Sequence, residues 1–449
     1  MDKNTFKSKL FELVLTHPPE LPMMSKGAEG YDRIREKDFF RKMAFWVFPG
    51  IDTSCFALQV FQLINWMFPS SSIKQKVEGF LDEGERNLKK FILSCYDRET
   101  RGFFQTKRNS FPTLHATHCV ITLIKAISAL KSHGDIDFDG PLGKEKIEKW
   151  FSSGGLQIPG GNVIESILLF VGSCFDSTTG GFREIPNEIA EQNRLMRAPS
   201  INATASAVWI GYQLEEDIAK YIDLETNAFR KGILAFVEAR RVIEKEGVAY
   251  RNSIQDERPW VCATYYAERI SRNLGERCSI QEFNRILSFI ERAKQKGSGF
   301  SAGDTLDVNL IHTKNAMSLI RRYYTMNGIL PGEKAALNEA KRSVANICED
   351  VVRFLKKTYV KGGFSTAEKE KYLPNVYTTR MAYDILRYVD FFVKELGIEK
   401  PSLHFIDPEE TIGFIFSCYD KNVAAFRGFS YDTSYIPQEY MKSFFSLAA

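Results

Sequence analysis

Apolar residues recur along the chain with helical spacing, and no sustained stretch shows the period-two alternation of strands. The helical stretches are of two kinds. Residues 201–214, INATASAVWIGYQL, are apolar nearly all round, which predicts burial on both sides. Residues 283–296, FNRILSFIERAKQK, carry more charge and predict a helix with one solvated face. The pattern therefore predicts an inner ring of buried helices inside an outer ring of amphipathic ones.

A heptapeptide marks the end of several outer helices. FILSCYD at 91–97 recurs as FVGSCFD at 170–176 and as FIFSCYD at 414–420. Because a catalytic residue need occur only once, the repeated Ser-Cys-aromatic-Asp predicts a structural role, with the Asp receiving N–H groups of the turn. A Gly-Phe pair follows each copy, and further pairs lie between them, so that pairs begin at Gly102, Gly181, Gly299, Gly363 and Gly428, with a degenerate copy at 247–250.

A second motif, Thr-x-x-Ala, opens the inner helices that follow these turns. It begins at Thr204, Thr264, Thr313 and Thr379, while Thr117 and Ser54 occupy the same place in two further stretches. A helical hairpin cannot bury its apolar face alone, so repeated hairpins must pack on one another. The sequence thus predicts an all-α fold, an α/α toroid closed from about five to six hairpins over residues 41–449. Residues 1–40 are predicted to be an N-terminal extension, and a non-repeat insertion is expected around 129–160.

Composition narrows the class of protein. The 449 residues include 60 Lys+Arg and 56 Asp+Glu, and 44% are hydrophobic. This is typical of a folded globular protein and does not indicate a nucleic-acid partner. The longest apolar stretch, 55–68, is interrupted by polar residues, and the start of the chain lacks a signal sequence, so we expect no transmembrane segment and a cytoplasmic location. The eight cysteines form no C-x-x-C pair, which argues against a disulfide framework or a zinc ribbon.

These repeats resemble those of protein prenyltransferase β-subunits and terpenoid cyclases. The best copies are Cys174–Phe182, CFDSTTGGF, and Lys361–Phe364, KGGF, and the resemblance covers roughly residues 41–447. It implies a toroid with an aromatic-lined central cavity for an isoprenoid chain and basic residues at its mouth for a diphosphate. It also implies transferase chemistry and a helical-repeat protein partner, because protein prenyltransferases are heterodimers.

The resemblance also says where a zinc site would be. In protein prenyltransferases an Asp and a Cys lie six and four residues before one repeat's Thr, and a His lies before the next. Here those places before Thr313 hold Asp307 and Asn309, and the His place holds Val376. Cys262 lies one repeat earlier without the matching Asp and His. We therefore predict no resident metal, with Mg²⁺ present only alongside a diphosphate substrate.

Motifs of other toroid enzymes are missing. The nearest match to the Asp-x-Asp-Asp of class II terpenoid cyclases, residues 135–139, has the wrong spacing and predicts a solvated loop. A lanthionine cyclase's Trp-Cys-x-Gly and a thioester domain's Gly-Cys-Gly-Glu-Gln are absent. The two carboxylates of an (α/α) glycosidase cannot be paired from sequence.

Candidate site residues fall into three groups, each weighed against packing or solvation. Aromatic side chains on inner helices could line a cavity or fill the core, and arginines in the preceding loops could hold an anion or simply be solvated. His312, at the start of an inner helix, could touch a diphosphate, whereas His115 and His118 are expected to pack. The full set of substrate-binding candidates is Arg194, Arg197, Trp209, Tyr212, Arg251, Arg258, Tyr265, Tyr266, Asp307 and His312.

The leading hypothesis is an isoprenoid-binding protein of the prenyltransferase or terpenoid-cyclase type, acting on a prenyl diphosphate or a polyprene without the usual zinc mechanism. Two alternatives stay open: a non-catalytic toroid scaffold or lipid-binding module, and a β-like subunit that needs an α partner. The catalytic residue is unidentified, and the sequence leaves open whether the chain is an enzyme.

Overall fold

A computed structural model describes residues 48–434, except 107–110, 133–139, 154–161, 191–197, 245–246, 277, 304–307, 328–333, 367–373, 431 and 433. Six long helices are buried on nearly all sides: α1 (Ile51–Met67), α3 (Leu114–Ser132), α7 (Ile201–Leu214), α9 (Val261–Asn273), α11 (Leu310–Asn327) and α13 (Val376–Leu396). Each packs on the next in chain order, and α13 packs on α1. These inner helices therefore form a closed ring.

Six outer helices alternate with the inner ones along the chain. They are α2 (Ser71–Ser94), α5 (Val163–Ser173), α8 (Thr226–Glu238), α10 (Ile280–Ala293), α12 (Lys334–Thr358) and α14 (Pro408–Ser417). On α10, for example, Phe283, Ile286, Phe289, Ile290 and Ala293 are buried on one face. The all-α toroid predicted from the sequence is thus confirmed, with six hairpins. Among the described residues, no helix combines the length and apolarity needed to cross a membrane.

Short antiparallel strand pairs form the turns from outer to inner helices. They are β1 (Phe175–Asp176) with β2 (Gly181–Phe182), β3 (Arg241–Glu244) with β4 (Gly247–Tyr250), β5 (Tyr359–Val360) with β6 (Gly363–Phe364), and β7 (Tyr419–Asp420) with β8 (Ala425–Phe426). In the first pair Phe175 faces Phe182, and in the last Tyr419 faces Phe426. Two small helices, α4 (Lys144–Ser152) and α6 (Asn187–Ala190), and a 3₁₀ turn at Ile218–Tyr221 are additional. Helix α4 lies within the insertion expected around 129–160 and packs on α3 and α5.

One hydrogen bond recurs in all six hairpins and explains the Thr of Thr-x-x-Ala. The aromatic residue of each turn donates its backbone N–H to the hydroxyl at the start of the following inner helix. The pairs are Phe103 to Thr117 (3.4 Å), Phe182 to Thr204 (3.0 Å), Tyr250 to Thr264 (3.1 Å), Phe300 to Thr313 (3.0 Å), Phe364 to Thr379 (3.0 Å) and Phe426 to Ser54 (3.0 Å). The last pair joins the two ends of the ring, so α1 completes the hairpin begun by α14.

The last Gly-Phe assignment from sequence was wrong. The turn residues equivalent to Gly-Phe are Ala425 and Phe426, because Phe426 makes both the strand pair and the bond to Ser54. Gly428 has a different role, because its carbonyl accepts a hydrogen bond from the first N–H of α13 at 2.9 Å. The third turn is similar, with Ala249 in the place of Gly and Tyr250 in the place of Phe.

The glycines of the other turns make room for the next outer helix. A Cβ on Gly102 would lie 2.4 Å from the ring of Phe170, and one on Gly181 would lie 2.2 Å from the ring of Phe236. Both rings are fully buried and cannot move aside cheaply. The repeated Gly-Phe pair therefore combines a backbone donor with a close approach between neighbouring hairpins.

A second cyclic set of hydrogen bonds links neighbouring hairpins. The first residue of each inner helix donates its N–H to a carbonyl in the loop before the next inner helix. The pairs are Ile51 to Gln105, Leu114 to Glu184, Ile201 to Asn252, Val261 to Ala302, Leu310 to Thr366, and Val376 to Gly428. All six inner helices consequently begin at the same end of the ring.

The heptapeptides have the structural role predicted for them. Cys95, Cys174 and Cys418 are fully buried. The aspartates cap the turns, since Asp97 accepts the N–H of Thr100, Asp176 that of Thr178, and Asp420 that of Asn422, at 3.0–3.2 Å.

Candidate functional site

The inner helices keep one partly accessible face, and it carries polar and aromatic side chains. On α9 this face holds Cys262, Tyr266 and Arg269, spaced four and three residues apart. On α3 His115 is exposed and His118 half-buried, and on α13 Tyr377 and Arg380 are half-buried. The other faces of these helices pack on the outer helices and on their ring neighbours. The accessible faces are therefore turned toward the centre of the ring.

Three cations lie on these inward faces. The Arg269 guanidinium is 5.7 Å from the centroid of the Trp209 ring, and the Lys314 ammonium is 4.3 Å from that of Tyr265. Arg380 Nη2 lies 2.9 Å from Asp384 Oδ2. Lys314 and Asp384 are almost completely buried, with 6% and 1% exposure.

The electrostatics of His118 reflect two of these cations, Arg269 and Arg380. Its pKa is lowered well below the ordinary value, first by burial and then by the positive charges of Arg269 and Arg380 on two other helices, with His115 contributing as well. His118 is thus a neutral ring at physiological pH. The helix N-termini at the same end of the ring add partial positive charge, so this interior favours an anion.

Aromatic rings accompany the cations. The rings of His118 and Trp209 are 4.1 Å apart between centroids, and those of Tyr265 and Tyr266 are 5.1 Å apart. Near the helix starts, the Phe56 ring lies 4.9 Å from that of Tyr377. Apolar surface and positive charge therefore alternate around the inner wall.

The predicted site residues are distributed unevenly. Trp209, Tyr265 and Tyr266 lie beside the cations, and Tyr212, on α7, is half-buried. Arg251 is a half-buried loop residue whose backbone N–H bonds to the Arg240 carbonyl, and Arg258 is exposed in the loop before α9. Arg194, Arg197 and Asp307 lie outside the described residues, as does the Asp135–Asp139 loop.

His312 lies against Cys262, an arrangement that the sequence did not predict. His312 Nδ1 is 3.1 Å from Cys262 Sγ, and the amide Nδ2 of Asn315 is 3.0 Å from the same sulfur. His312 and Asn315 lie one turn apart on α11, and Cys262 is the second residue of α9. Cys262 therefore has a histidine neighbour after all.

Burial keeps this pair uncharged. It raises the pKa of the Cys262 thiol to about 11, an effect that the Asn315 hydrogen bond and the Lys314 charge only partly offset. It also lowers the pKa of His312 to about 4. At neutral pH the pair is therefore a thiol beside a neutral imidazole, and in the tautomer that carries its proton on Nε2 the sulfur donates to Nδ1.

Metal ligands are sparse in the described part of the ring. There, no group of three or more His, Cys, Asp or Glu side chains is placed to hold an ion. Cys262 and His312 supply two donors, whereas a structural zinc site has four.

A register rule would have found the cations that sequence reasoning missed. The residue that follows the motif Thr or Ser is Cys55, His118, Ala205, Tyr265, Lys314 or Arg380 in the six repeats. Lys314 and Arg380 thus occupy one inward position, and Arg269 lies one helical turn further on. A charged residue at that position of an otherwise apolar helix is therefore the sequence signal that identifies an inward-facing cation.

No protein-family model matches the chain, and no curated protein matches its sequence. Among solved structures, a Candida albicans protein geranylgeranyltransferase-I complexed with GGPP is similar with a TM-score of 0.48 and 13% identity, over 100% of this chain and 99% of that one. The cellobiose 2-epimerase from Bacillus thermoamylovorans B4167 is similar with a TM-score of 0.43 and 11% identity, over 86% of this chain and 100% of that one.

Proposed function

We propose that the chain binds a prenyl diphosphate inside its helical ring and acts on it as a prenyltransferase- or terpenoid-cyclase-like protein. The observation that carries the proposal is the group formed by Arg269, Lys314 and Arg380 beside the rings of Trp209 and Tyr265. An isoprenoid chain needs apolar surface, worth about 25 cal/mol for each Å² buried. A diphosphate needs cations in a site where few carboxylates compete.

The same groups suit the chemistry of an allylic diphosphate. When the C–O bond breaks, its electron pair leaves with the diphosphate, and buried cations stabilise that charge more strongly than water would. The carbon fragment becomes positive, and aromatic faces attract a cation. The carboxylate of Asp384 forms ion pairs with Arg380 and, at 3.5 Å, with Arg387. These two positive charges offset the repulsion between Asp384 and a bound anion.

The cofactor and partner predictions remain proposals. We propose that the protein holds no resident zinc and that Mg²⁺ enters only with the diphosphate. We propose an isoprenoid as the ligand of the described site, and a helical-repeat protein partner remains a prediction from the sequence resemblance.

Calorimetric titration can test the ligand. We expect the protein to bind farnesyl or geranylgeranyl diphosphate more tightly than the matching alcohol. In the Arg269→Gln variant the diphosphate should bind about 10- to 100-fold more weakly, because one charged hydrogen-bonding contact is lost. Alcohol binding should change less than about twofold.

The matched control is Arg258→Ala, which removes an exposed arginine from the loop before the same helix. The sequence-based hypothesis placed the anion contact at the loop arginines Arg194, Arg197, Arg251 and Arg258, whereas the geometry favours Arg269. If Arg258→Ala alone erodes the preference for diphosphate, the anion binds at the loops. Equal binding of diphosphate and alcohol, or no binding, would contradict the proposal and leave the scaffold alternative ahead.

A further inference from the structure

Cys262 differs from the other cysteines of the chain. Six of the eight are buried, and only Cys262 and Cys278 are half-buried. Cys262 is the one cysteine that combines a short contact to an imidazole with partial access from the ring interior. The Cys278 thiol instead contacts the backbone carbonyl of Ser279. His115 does approach Cys119, at 3.7 Å, but Cys119 is 3% exposed.

Three groups around the sulfur are arranged for nucleophilic chemistry. His312 Nδ1 can accept the thiol proton at 3.1 Å. The Asn315 amide donates to the sulfur at 3.0 Å and would keep that bond to a thiolate. Cys262 also lies in the first turn of α9, where the helix end stabilises negative charge.

We propose that Cys262 and His312 form a thiol–imidazole nucleophile that attacks a soft carbon electrophile in the ring. The electrophile class is the allylic carbon of a prenyl diphosphate, and this part rests on the proposed function. In the step, an S–C bond forms while the allylic C–O bond breaks. Inorganic diphosphate leaves with the electron pair, and the thiol proton passes to His312 and then to water. The product is a thioether on Cys262.

A distinctive pH dependence follows from this pairing. A lone thiol reacts through its thiolate, whose fraction rises about tenfold per pH unit below the thiol pKa. A thiol that transfers its proton to a neighbouring neutral base as it reacts shows no such slope. The other titratable groups around the sulfur are Lys314 on α11, Tyr266 on α9 and Tyr377 on α13. Each has a pKa raised above its ordinary value, so none of them titrates between pH 6 and 8.

Alkylation of the intact protein by iodoacetamide tests the pair independently of any prenyl ligand. Here iodide is the leaving group, and peptide mass spectrometry gives the rate at each cysteine. We expect the rate at Cys262 to change less than about threefold between pH 6 and 8. At Cys278, whose thiol pKa burial also raises to about 11, it should rise about a hundredfold.

His312→Gln separates proton transfer from a merely structural role. Gln keeps a polar side chain but cannot take the proton, so the rate at Cys262 should then follow the steep profile of Cys278. A steep profile at Cys262 in the natural protein would overturn the proposal, as would a flat profile that survives His312→Gln. One zinc ion per chain that is lost in both Cys262→Ser and His312→Gln would also overturn it, because the pair would then be a metal site.

Farnesyl diphosphate tests the electrophile class. Incubation should add one farnesyl group to Cys262 and none to the Cys262→Ser variant. If calorimetry shows binding of the diphosphate and no thioether forms, the assignment of the electrophile is wrong. If the diphosphate does not bind, the proposed function fails, and the iodoacetamide profile alone decides whether the thiol–imidazole pair exists.

Discussion

Asp52 shows how strongly burial acts on a single side chain. It is the second residue of α1 and is 6% exposed. Burial raises its pKa to about 7, although hydrogen bonds from Thr53 and Gln105 oppose the shift. The folded protein therefore holds the neutral carboxylic acid at a pH where the unfolded chain ionises it. This contribution to stability is fully present below the ordinary pKa of an Asp and is lost as pH rises through about 7.

Asp52→Asn should remove that pH dependence. We expect the stability of the variant relative to the natural protein to improve by about 1.4 kcal/mol for each pH unit between about 4 and 7. Urea unfolding of both proteins at pH 5 and 7 measures the change, and the pH effects of all other groups cancel in the comparison. A difference in unfolding free energy that is the same at both pH values would show that Asp52 is ionised in the folded state.

Residue roles were only partly predictable from sequence. Trp209, Tyr265 and Tyr266 were expected on inner helices, and they lie beside the cations. Lys314 and Arg380 were missed because the sequence alone does not distinguish an inward-facing charge on a helix from a solvated one. The distinction requires the inward position of each repeat to be known. The Cys262–His312 contact was missed because the two residues belong to different repeats, 50 positions apart, and only the packing of α9 on α11 brings them together.

At the scale of the element, the hairpin turn is the repeated unit of the fold. Its central bond joins a buried backbone N–H to a buried hydroxyl, as between Phe182 and Thr204, both fully buried. No water can replace this acceptor without opening the turn. The cost of losing it is the desolvation of an unsatisfied N–H group.

Thr204→Val tests the turn. We expect a loss of about 1–3 kcal/mol in the free energy of unfolding, because Val keeps the shape of Thr and removes the acceptor. Thr204→Ser is the matched variant, since it keeps the hydroxyl and removes a methyl group, and it should lose less. Denaturant unfolding of both variants gives the comparison, and equal losses would mean that packing rather than the hydrogen bond holds the turn.

The sequence motifs located most turns, and one was misplaced for a physical reason. A Gly-Phe pair at 428–429 lay close to the expected spacing, while the true turn has Ala425 before Phe426. Gly is required where a neighbouring side chain presses on the turn, as the ring of Phe170 does on Gly102. Where the neighbouring packing leaves space, Ala serves, and the Gly signal disappears from the sequence.

At the scale of the whole molecule, the closed ring distinguishes this fold from an open stack of repeats. The bond from Phe426 to Ser54 joins the final turn to α1, which completes the hairpin begun by α14, and the bond from Val376 to Gly428 ties the same loop to α13. The number of hairpins could be predicted only as five to six, because α1 lies far from its outer partner α14 in sequence. Ser54, in the place of the motif Thr, was the only sign that the first helix completes the ring.

Removal of the last outer helix and its turn should therefore unfold the whole ring. A chain that ends at Gly397 lacks α14 and the final turn, so that α1 and α13 each lose a neighbour. We expect loss of the cooperative thermal transition in circular dichroism. The full-length Ser54→Ala variant, which loses one seam bond, should keep a single transition at a lower temperature. A truncated protein that melts cooperatively and keeps nearly all of the helical signal would instead indicate independent repeats.

The seam also has a consequence for synthesis on the ribosome. Ser54 and Phe426 are 372 residues apart, which at about 5–20 residues per second corresponds to roughly 20–75 s of translation. Throughout that time α1, which is apolar nearly all round, lacks the turn and the outer helix that will cover one of its flanks. A nascent chain in this state presents a persistent hydrophobic surface, the kind that chaperones bind. The closed ring that encloses the interior of the finished protein thus leaves α1 dependent on protection until α14 has been made.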